Sequence, residues 1–182
     1  MSVFTNPSSR SLEHAKAYVS AVLELLGRRD PLEVLRGTEA ALRQAIEGVP
    51  ARQLGEPEAA GKWSIRQVMA HLADSELVWG YRLRSILAQD RPTLTGYDQD
   101  LWSDRLHYAD VDAASALKQF GVLRESNLRL FQRATPDDMK RVGIHAERGE
   151  ESVEHMIKLY AGHDLLHLAQ IQRIRKSLAK SK

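Results

Sequence analysis

Apolar residues recur every three to four positions along most of the chain, which is the spacing of one buried face of an α-helix. This pattern predicts helices over residues 12–26, 31–47, 64–89, 111–133 and 152–178. No stretch has the length and alternation expected of a central β-strand. Four long helices and one additional N-terminal helix therefore predict an all-α bundle.

Two helix starts carry clear capping signals. Asp30 precedes Pro31, and this order of an N-cap residue and a proline at the first helical position favours a helix start. Ser64 and Gln67 have the spacing of a capping box, and Trp63 can pack onto Val68 as a hydrophobic staple. The helix that begins at Ser64 is thus the most clearly bounded one.

The segments between the helices are polar. Residues 51–62 have the composition of a loop, and residues 91–108 form a long polar and aromatic connection of a kind that is often functional. A short β-hairpin in 91–108 or in 140–151 remains an open alternative. We expect residues 1–29 to be an N-terminal extension with one helix, and residues 30–182 to be the four-helix bundle domain.

Composition narrows the class of protein. The chain has 182 residues, which suits one domain, and its 26 basic and 24 acidic residues give a net charge of +2. This small, dispersed charge gives no support to nucleic-acid binding. We expect no membrane span and no signal peptide, and therefore a cytoplasmic protein. Its expected partner is a small-molecule substrate. Because cysteine is absent, any metal ion must be held by nitrogen and oxygen atoms.

His163 and His167 are the first candidate metal ligands. Their spacing of four residues places both side chains on one face of a helix, in register with the apolar residues Tyr160 and Ile171. Burying two imidazoles side by side is unfavourable unless a partner satisfies them, and a metal ion does so. The alternative is a hydrogen-bonded pair in the core.

His71 is the third candidate. It lies at the flank of the apolar face of its helix, where a bundle helix can still face the central cavity. Taken alone, such a residue is more often a satisfied core or boundary histidine. It gains weight from the other two histidines, because a catalytic metal typically has three protein ligands and an open position. Asp74, three residues later, could orient an imidazole or act as a base, and its alternative is an exposed carboxylate.

Other functional assignments of the histidines have less support. The stretch from His163 to His167 resembles the HExxH motif of metallopeptidases, with Asp164 in place of glutamate. The shorter carboxylate would lie farther from a metal-bound water, and no third ligand follows, so this reading is not favoured. His107 and His145 lie in connections that could reach the mouth of the bundle, and we assign neither as a ligand.

Three stretches, in this order, resemble the DinB/YfiT-like superfamily of metal-binding four-helix bundles. They are KWSIRQVMAHLADSE, RPTLTGYDQDLWSD and GIHAERGEESVEHMIKLYAGHDLLHLAQIQRIR. No single motif among them is specific, but their order is. The resemblance covers roughly residues 30 to 178. One departure is Ala146, which follows His145 where the family pattern has proline, and it leaves the three candidate ligands untouched.

The resemblance implies an antiparallel-type four-helix bundle with one long crossover. It implies that His71, His163 and His167 hold one divalent transition metal ion with open positions for water or substrate. Histidine ligands suit Zn, Ni, Fe or Co, and we expect Zn or Ni. Members of the family are described as metal-dependent hydrolases or as transferases of low-molecular-weight thiols such as bacillithiol or mycothiol. Many are homodimers, so a homodimer is expected here.

Three functions follow as expectations. The first is hydrolysis of an unknown small substrate by a metal-activated water. The second is metal-dependent transfer of a low-molecular-weight thiol to an electrophile, in which the metal stabilises the thiolate. The third is a non-catalytic, metal-stabilised bundle that binds a ligand or senses one. The same three histidines would serve all three, so the sequence does not separate them.

Overall fold

The computed structural model describes residues 12–180, with side chains described for residues 15–179. Its helices are α1 (Leu12–Leu26), α2 (Pro31–Ile46), α3 (Ala51–Leu54), α4 (Ile65–Ala88), α5 (Gln99–Arg105), α6 (Ala113–Arg133), α7 (Pro136–Lys140) and α8 (Val153–Lys180). Its strands are β1 (Thr93–Leu94), β2 (Val142–His145) and β3 (Gly149–Ser152), and a 3-10 turn covers Tyr108–Asp110. Residues 1–11 of the predicted N-terminal extension lie outside the described residues.

The four long helices α2, α4, α6 and α8 form the predicted four-helix bundle, and the all-α fold class is confirmed. The most extensive contacts join α4 to α6 and α2 to α8, and smaller ones join α2 to α6 and α4 to α8. Consecutive helices α2 and α4 therefore lie diagonally across the bundle rather than side by side. None of the helices in the described part of the chain is both long and apolar enough to cross a membrane.

Helix α1 packs along α8. A Cβ atom at Gly162 would lie 2.2 Å from the carbonyl oxygen of Val22, so glycine is needed for this close approach. The side chains of Val22 and Leu26 are buried in the same apolar cluster as residues of α4 and α8. The additional N-terminal helix is thus packed against the bundle and contributes to its core.

The predicted helix caps are present. Asp30 accepts hydrogen bonds from the backbone N–H groups of Leu32 and Glu33, at 2.8 and 3.2 Å. Ser64 and Gln67 form the complete capping box, in which each side chain bonds the backbone of the other residue. These side chains satisfy backbone donors that have no partner inside the first helical turn.

A small sheet lies beside the bundle. Strands β2 and β3 form an antiparallel hairpin within the second of the two segments considered for one, and β1 pairs with β2 in parallel. The segment 91–108 therefore supplies a single strand and helix α5 rather than a hairpin. The predicted loop over residues 51–62 begins with the short helix α3.

The core is divided into two apolar clusters with a polar layer between them. One cluster includes Leu35, Leu83 and Ile157, and the other includes Leu42, Leu72 and Ile171. Between them each long helix contributes buried polar side chains: Thr38 from α2, Glu76 from α4, Arg124 and Asn127 from α6, and Asp164 from α8. This layer lies at the same level along α8 as His163 and His167, because Asp164 directly follows His163.

Candidate metal centre

The structure brings the three predicted histidines together between α4 and α8. The side chains of His71, His163 and His167 are 1%, 7% and 4% exposed. One nitrogen from each ring can be chosen so that all three lie within 4.8 Å of one another. Nε2 of His71 and Nε2 of His163 are 3.2 Å apart. Three imidazoles that are buried to this extent need a partner for their lone pairs.

Burial keeps this cluster neutral. It lowers the pKa of His71 and of His163 well below 6.5, and the neighbouring imidazoles add to the effect. Burial also lowers the pKa of His167 to about 4, although the hydrogen bond that His167 donates to Gln170 and the charge of Asp164 act in the opposite direction. Neutral imidazole is the form that binds a metal ion, so at neutral pH protons do not compete for these nitrogens.

Gln170 fixes the tautomer of His167. Its side-chain oxygen lies 2.8 Å from Nδ1 of His167 and can only accept, so Nδ1 carries the proton. The lone pair of His167 is therefore on Nε2. A hydrogen bond of this kind, made by the ring nitrogen that does not bind the metal, orients a histidine ligand and raises its basicity. Gln170 follows His167 by three residues, and the sequence reasoning missed it.

Ser75 and Tyr97 extend the cluster toward the connection before α5. The Ser75 hydroxyl lies 3.3 Å from Nε2 of His71 and 2.9 Å from the Tyr97 hydroxyl. Burial raises the pKa of Tyr97, while the hydrogen bond with Ser75 opposes the rise. Tyr97 thus stays protonated at neutral pH and can donate a hydrogen bond. The polar and aromatic segment 91–108 therefore contributes a side chain to the site.

The Asp74 carboxylate is hydrogen-bonded to a tyrosine. It accepts a hydrogen bond of 2.7 Å from the hydroxyl of Tyr108. The side-chain hydrogen bonds to the imidazoles come instead from Ser75 and Gln170. The role suggested for Asp74, orienting a histidine or acting as a base, stays a prediction.

The Asp164 carboxylate is occupied by an arginine and a threonine. It forms two hydrogen bonds with the guanidinium of Arg124, at 2.7 and 3.1 Å, and accepts one of 2.7 Å from Thr38. The side chain is 1% exposed. A peptidase base must reach the reacting water, so this geometry disfavours the HExxH-like reading.

Two openings flank the histidines. On the side of His71 and His163 lies a narrow cavity of about 30 Å³. It is lined by Tyr18, His71, Trp79, Arg82, Gly96, Tyr97, Gln99, His145, Glu147, Arg148, Leu159 and His163. On the side of His167 lies a wider groove of about 650 Å³. Its walls include Trp63, Leu166, Gln170 and Arg173. The cluster thus lies between a narrow cavity and a wider groove.

Acid should destabilise the metal-free protein through these histidines. Besides the cluster, His145 is buried, and its pKa is lowered to about 4. Because an unfolded histidine has a pKa of about 6.5, unfolding takes up protons below that pH. Stability is then highest above about pH 6.5 and falls as the pH drops toward 4, by about 1.4 kcal/mol per pH unit for each such histidine.

The measurement is chemical denaturation of chelator-treated protein at several values between pH 7.5 and 5. We expect a steep loss of the free energy of unfolding over this range. His145→Gln removes one of the titrating groups and should reduce the slope by about 1.4 kcal/mol per pH unit. A free energy of unfolding that stays constant from pH 7.5 to 5 would contradict the burial of neutral histidines.

Comparison with known proteins agrees with this architecture. The sequence profile described as the DinB superfamily matches residues 35–171. "Putative metal-dependent hydrolase YfiT" of Bacillus subtilis is 29% identical over 151 residues, which cover 82% of this chain and 85% of that protein. A "Putative metal-dependent hydrolase" of Oceanobacillus iheyensis is 30% identical over 135 residues, covering 74% of this chain and 78% of the relative.

The solved structure of YfiT is also similar to this fold. It is described as a probable metal-dependent hydrolase with an unusual four-helix bundle topology. It superposes with a TM-score of 0.77 at 28% identity, and the match covers 82% of this chain and 86% of that one. The family profile spans most of the bundle, including all three clustered histidines. The chain therefore belongs to the DinB superfamily.

Proposed function

We propose that the protein is a metal-dependent hydrolase, in which His71, His163 and His167 hold one divalent ion, Zn or Ni. The observation that carries this proposal is the cluster itself: three buried, neutral imidazoles from two helices, with ligand atoms within 4.8 Å of one another, beside a narrow cavity. The relatives named as metal-dependent hydrolases add support.

The residues present fit such an ion. The donor set is entirely nitrogen, which suits Zn and Ni. Nδ1 of His71 is buried without a hydrogen-bond partner among the described residues, so the protein satisfies only one nitrogen of this ring. The adjacent polar layer contains two carboxylates, Glu76 and Asp164, and one guanidinium. A nearby cation would balance this excess of acidic groups.

A divalent ion with open positions would lower the pKa of bound water toward neutrality and polarise an acceptor oxygen. The chain's own side chains would then orient the reactants. The hydrogen bond to Gln170 leaves the lone pair of His167 on Nε2. Tyr97 lines the cavity and, with Ser75 behind it, offers a hydroxyl that can donate to a substrate oxygen or leaving group.

Thiol transfer is the second candidate function. The wide groove beside His167 favours it, because this groove has room for a ligand much larger than water. A low-molecular-weight thiol could lie there with its sulfur at the cluster while the electrophile enters from the opposite cavity. The thiol would come from the cofactor, since the chain has no cysteine.

A non-catalytic role is supported less well. A structural zinc site normally closes its shell with four protein ligands. Among the described residues the cluster offers three. Three ligands leave exchangeable positions, which is the arrangement of a reactive site.

The proposal is tested by activity of the metal-loaded protein. Protein reconstituted with Zn or Ni is assayed on a panel of esters and amides, and in parallel on low-molecular-weight thiols with a fluorogenic electrophile. We expect hydrolysis that a chelator abolishes and that added metal restores. Turnover only in the thiol assays would favour the transferase. Retention of metal without turnover in either panel would overturn both enzymatic proposals.

A further inference from the structure

The cavity beside His71 and His163 contains a buried cation without a matching anion. Arg82, from α4, is 4% exposed. Its Nη2 donates to the carbonyl oxygen of Thr95, and its guanidinium lies 5.6 Å from the centre of the Trp79 ring. Its Nε has no hydrogen-bond partner among the described residues. Burying a guanidinium in this way costs free energy that one carbonyl and one aromatic face offset only in part.

The charged neighbours do not neutralise Arg82. Arg148 lines the same cavity, and it forms two hydrogen bonds with the buried carboxylate of Glu151. Glu151 is thereby already paired. Glu147 also lines the cavity and has interactions of its own. No carboxylate in the described part of the chain forms an ion pair with Arg82. Burial and the guanidinium of Arg148 lower the pKa of Arg82, and they outweigh the attraction of Glu151, which acts in the opposite direction.

His145 presents a second unpartnered donor in the same cavity. The backbone N–H of Glu147 donates to its Nδ1 at 3.2 Å, so the neutral ring carries its proton on Nε2. The residue is 2% exposed, and this Nε2 has no partner among the described residues. The low pKa of His145, about 4, keeps the ring neutral at neutral pH.

We propose that this cavity binds a carboxylate group of the substrate, with Arg82 and His145 as its hydrogen-bond donors. A carboxylate has two oxygens, one for each of these N–H groups, and its charge would neutralise the guanidinium. Two donors satisfy a carboxylate more completely than a phosphate, which has more acceptor oxygens. This inference rests on the proposed function in one respect: it assumes that this cavity is the one that binds the substrate.

The proposal also limits where the carboxylate lies in the substrate. His71 and Arg82 are eleven residues apart on α4, so their Cα atoms are separated by roughly 16 Å along the helix axis. An arginine side chain in a helix points back toward the N-terminus and shortens this distance. The carboxylate is therefore separated by several bonds from the group that reacts at the histidines.

The test measures binding of butyrate, with methyl butyrate and inorganic phosphate as comparison probes. Titrations use full-length protein, both metal-loaded and chelator-treated, and are followed by calorimetry and by melting temperature. We expect butyrate to bind both forms, and Arg82→Met to weaken its binding at least about tenfold. Arg84→Met, which removes a cation outside the cavity on the same helix, should bind butyrate like the wild type.

Stability separates a binding role from a structural one. Without ligand, Arg82→Met should melt at the same temperature as the wild type or higher, because it removes an uncompensated buried charge. His145→Phe provides a second variant and should also weaken butyrate binding. Absence of butyrate binding, equal binding by Arg82→Met, equal binding of methyl butyrate, or tighter binding of phosphate would each overturn the proposal. Because the chelator-treated form is measured, these results do not depend on the metal site.

Discussion

Replacing Arg124 with alanine is expected to lower the free energy of unfolding by about 3–5 kcal/mol. The reason is that the substitution leaves two buried carboxylates, Glu76 and Asp164, without their cation. Each is less than 3% exposed. Removing one partner of a buried ion pair is far more destabilising than removing a surface pair, because water cannot reach the charge that remains.

The contacts of Arg124 connect all four helices of the bundle. From α6 its guanidinium donates to Glu76 on α4 at 2.9 Å, to Asp164 on α8 at 2.7 and 3.1 Å, and to the carbonyl oxygen of Leu35 on α2 at 2.9 Å. Burial alone would lower the pKa of Arg124, but the two carboxylates outweigh that effect and raise it. The arginine therefore stays charged.

The matched control is Arg129→Ala on the same helix. Arg129 forms an exposed pair with Glu125, and its loss should cost no more than about 0.5 kcal/mol. Both variants are compared with the wild type by urea denaturation. Combining Arg124→Met with Glu76→Leu and Asp164→Leu should recover much of the lost stability. A loss below about 1 kcal/mol for Arg124→Ala would show that the polar layer contributes little.

The helices could be predicted from the sequence because their signals are local. The apolar spacing of a helix and the residues that cap it lie within a few positions of one another, as in Ser64 and Gln67. The predicted range 12–26 coincides with α1, and the other long helices differ from their predictions by at most two residues at each end.

The sheet could not be predicted in the same way. Its strands have two to four residues, and β3 is the polar sequence Gly149–Ser152. The parallel pairing of β1 with β2 joins Thr93 to Ile144, which are far apart in the chain. Such pairing depends on the packing of the helices between the strands, and no local pattern encodes it.

The candidate site was predictable only in part. The helical spacing and the family resemblance identified the three histidines that the structure brings together. The polar side chains around them were missed, because Arg82 and Arg124 have the sequence signature of exposed helical charges. Their burial depends on which helices lie next to one another. Gln170 was detectable in principle, as a side chain one helical turn after His167.

The largest effect on metal content is expected for His163→Ala. Wild-type protein should carry about one transition metal ion per chain, and the variant should lose nearly all of it, with metal affinity reduced at least a hundredfold. Two imidazoles hold a divalent ion much less tightly than three, and the gap left at position 163 is buried, so no exposed side chain can replace the lost ligand. Metal is measured by elemental analysis after dialysis against a weak chelator.

His155→Ala is the matched control for this variant. His155 lies two turns earlier on α8 and outside the cluster, so its loss should leave metal content unchanged. The metal affinity of Gln170→Leu should lie between those of His155→Ala and His163→Ala, reduced about 10- to 100-fold from the wild type. This substitution removes the hydrogen bond that orients His167 but leaves all three ligands in place. Far-UV circular dichroism must show folded protein in each case. Equal metal content in His163→Ala and His155→Ala would mean that any bound ion is held elsewhere. A graded loss in the order His155, Gln170, His163 requires that the ion be bound at the cluster and that its ligands be oriented by the residues around them.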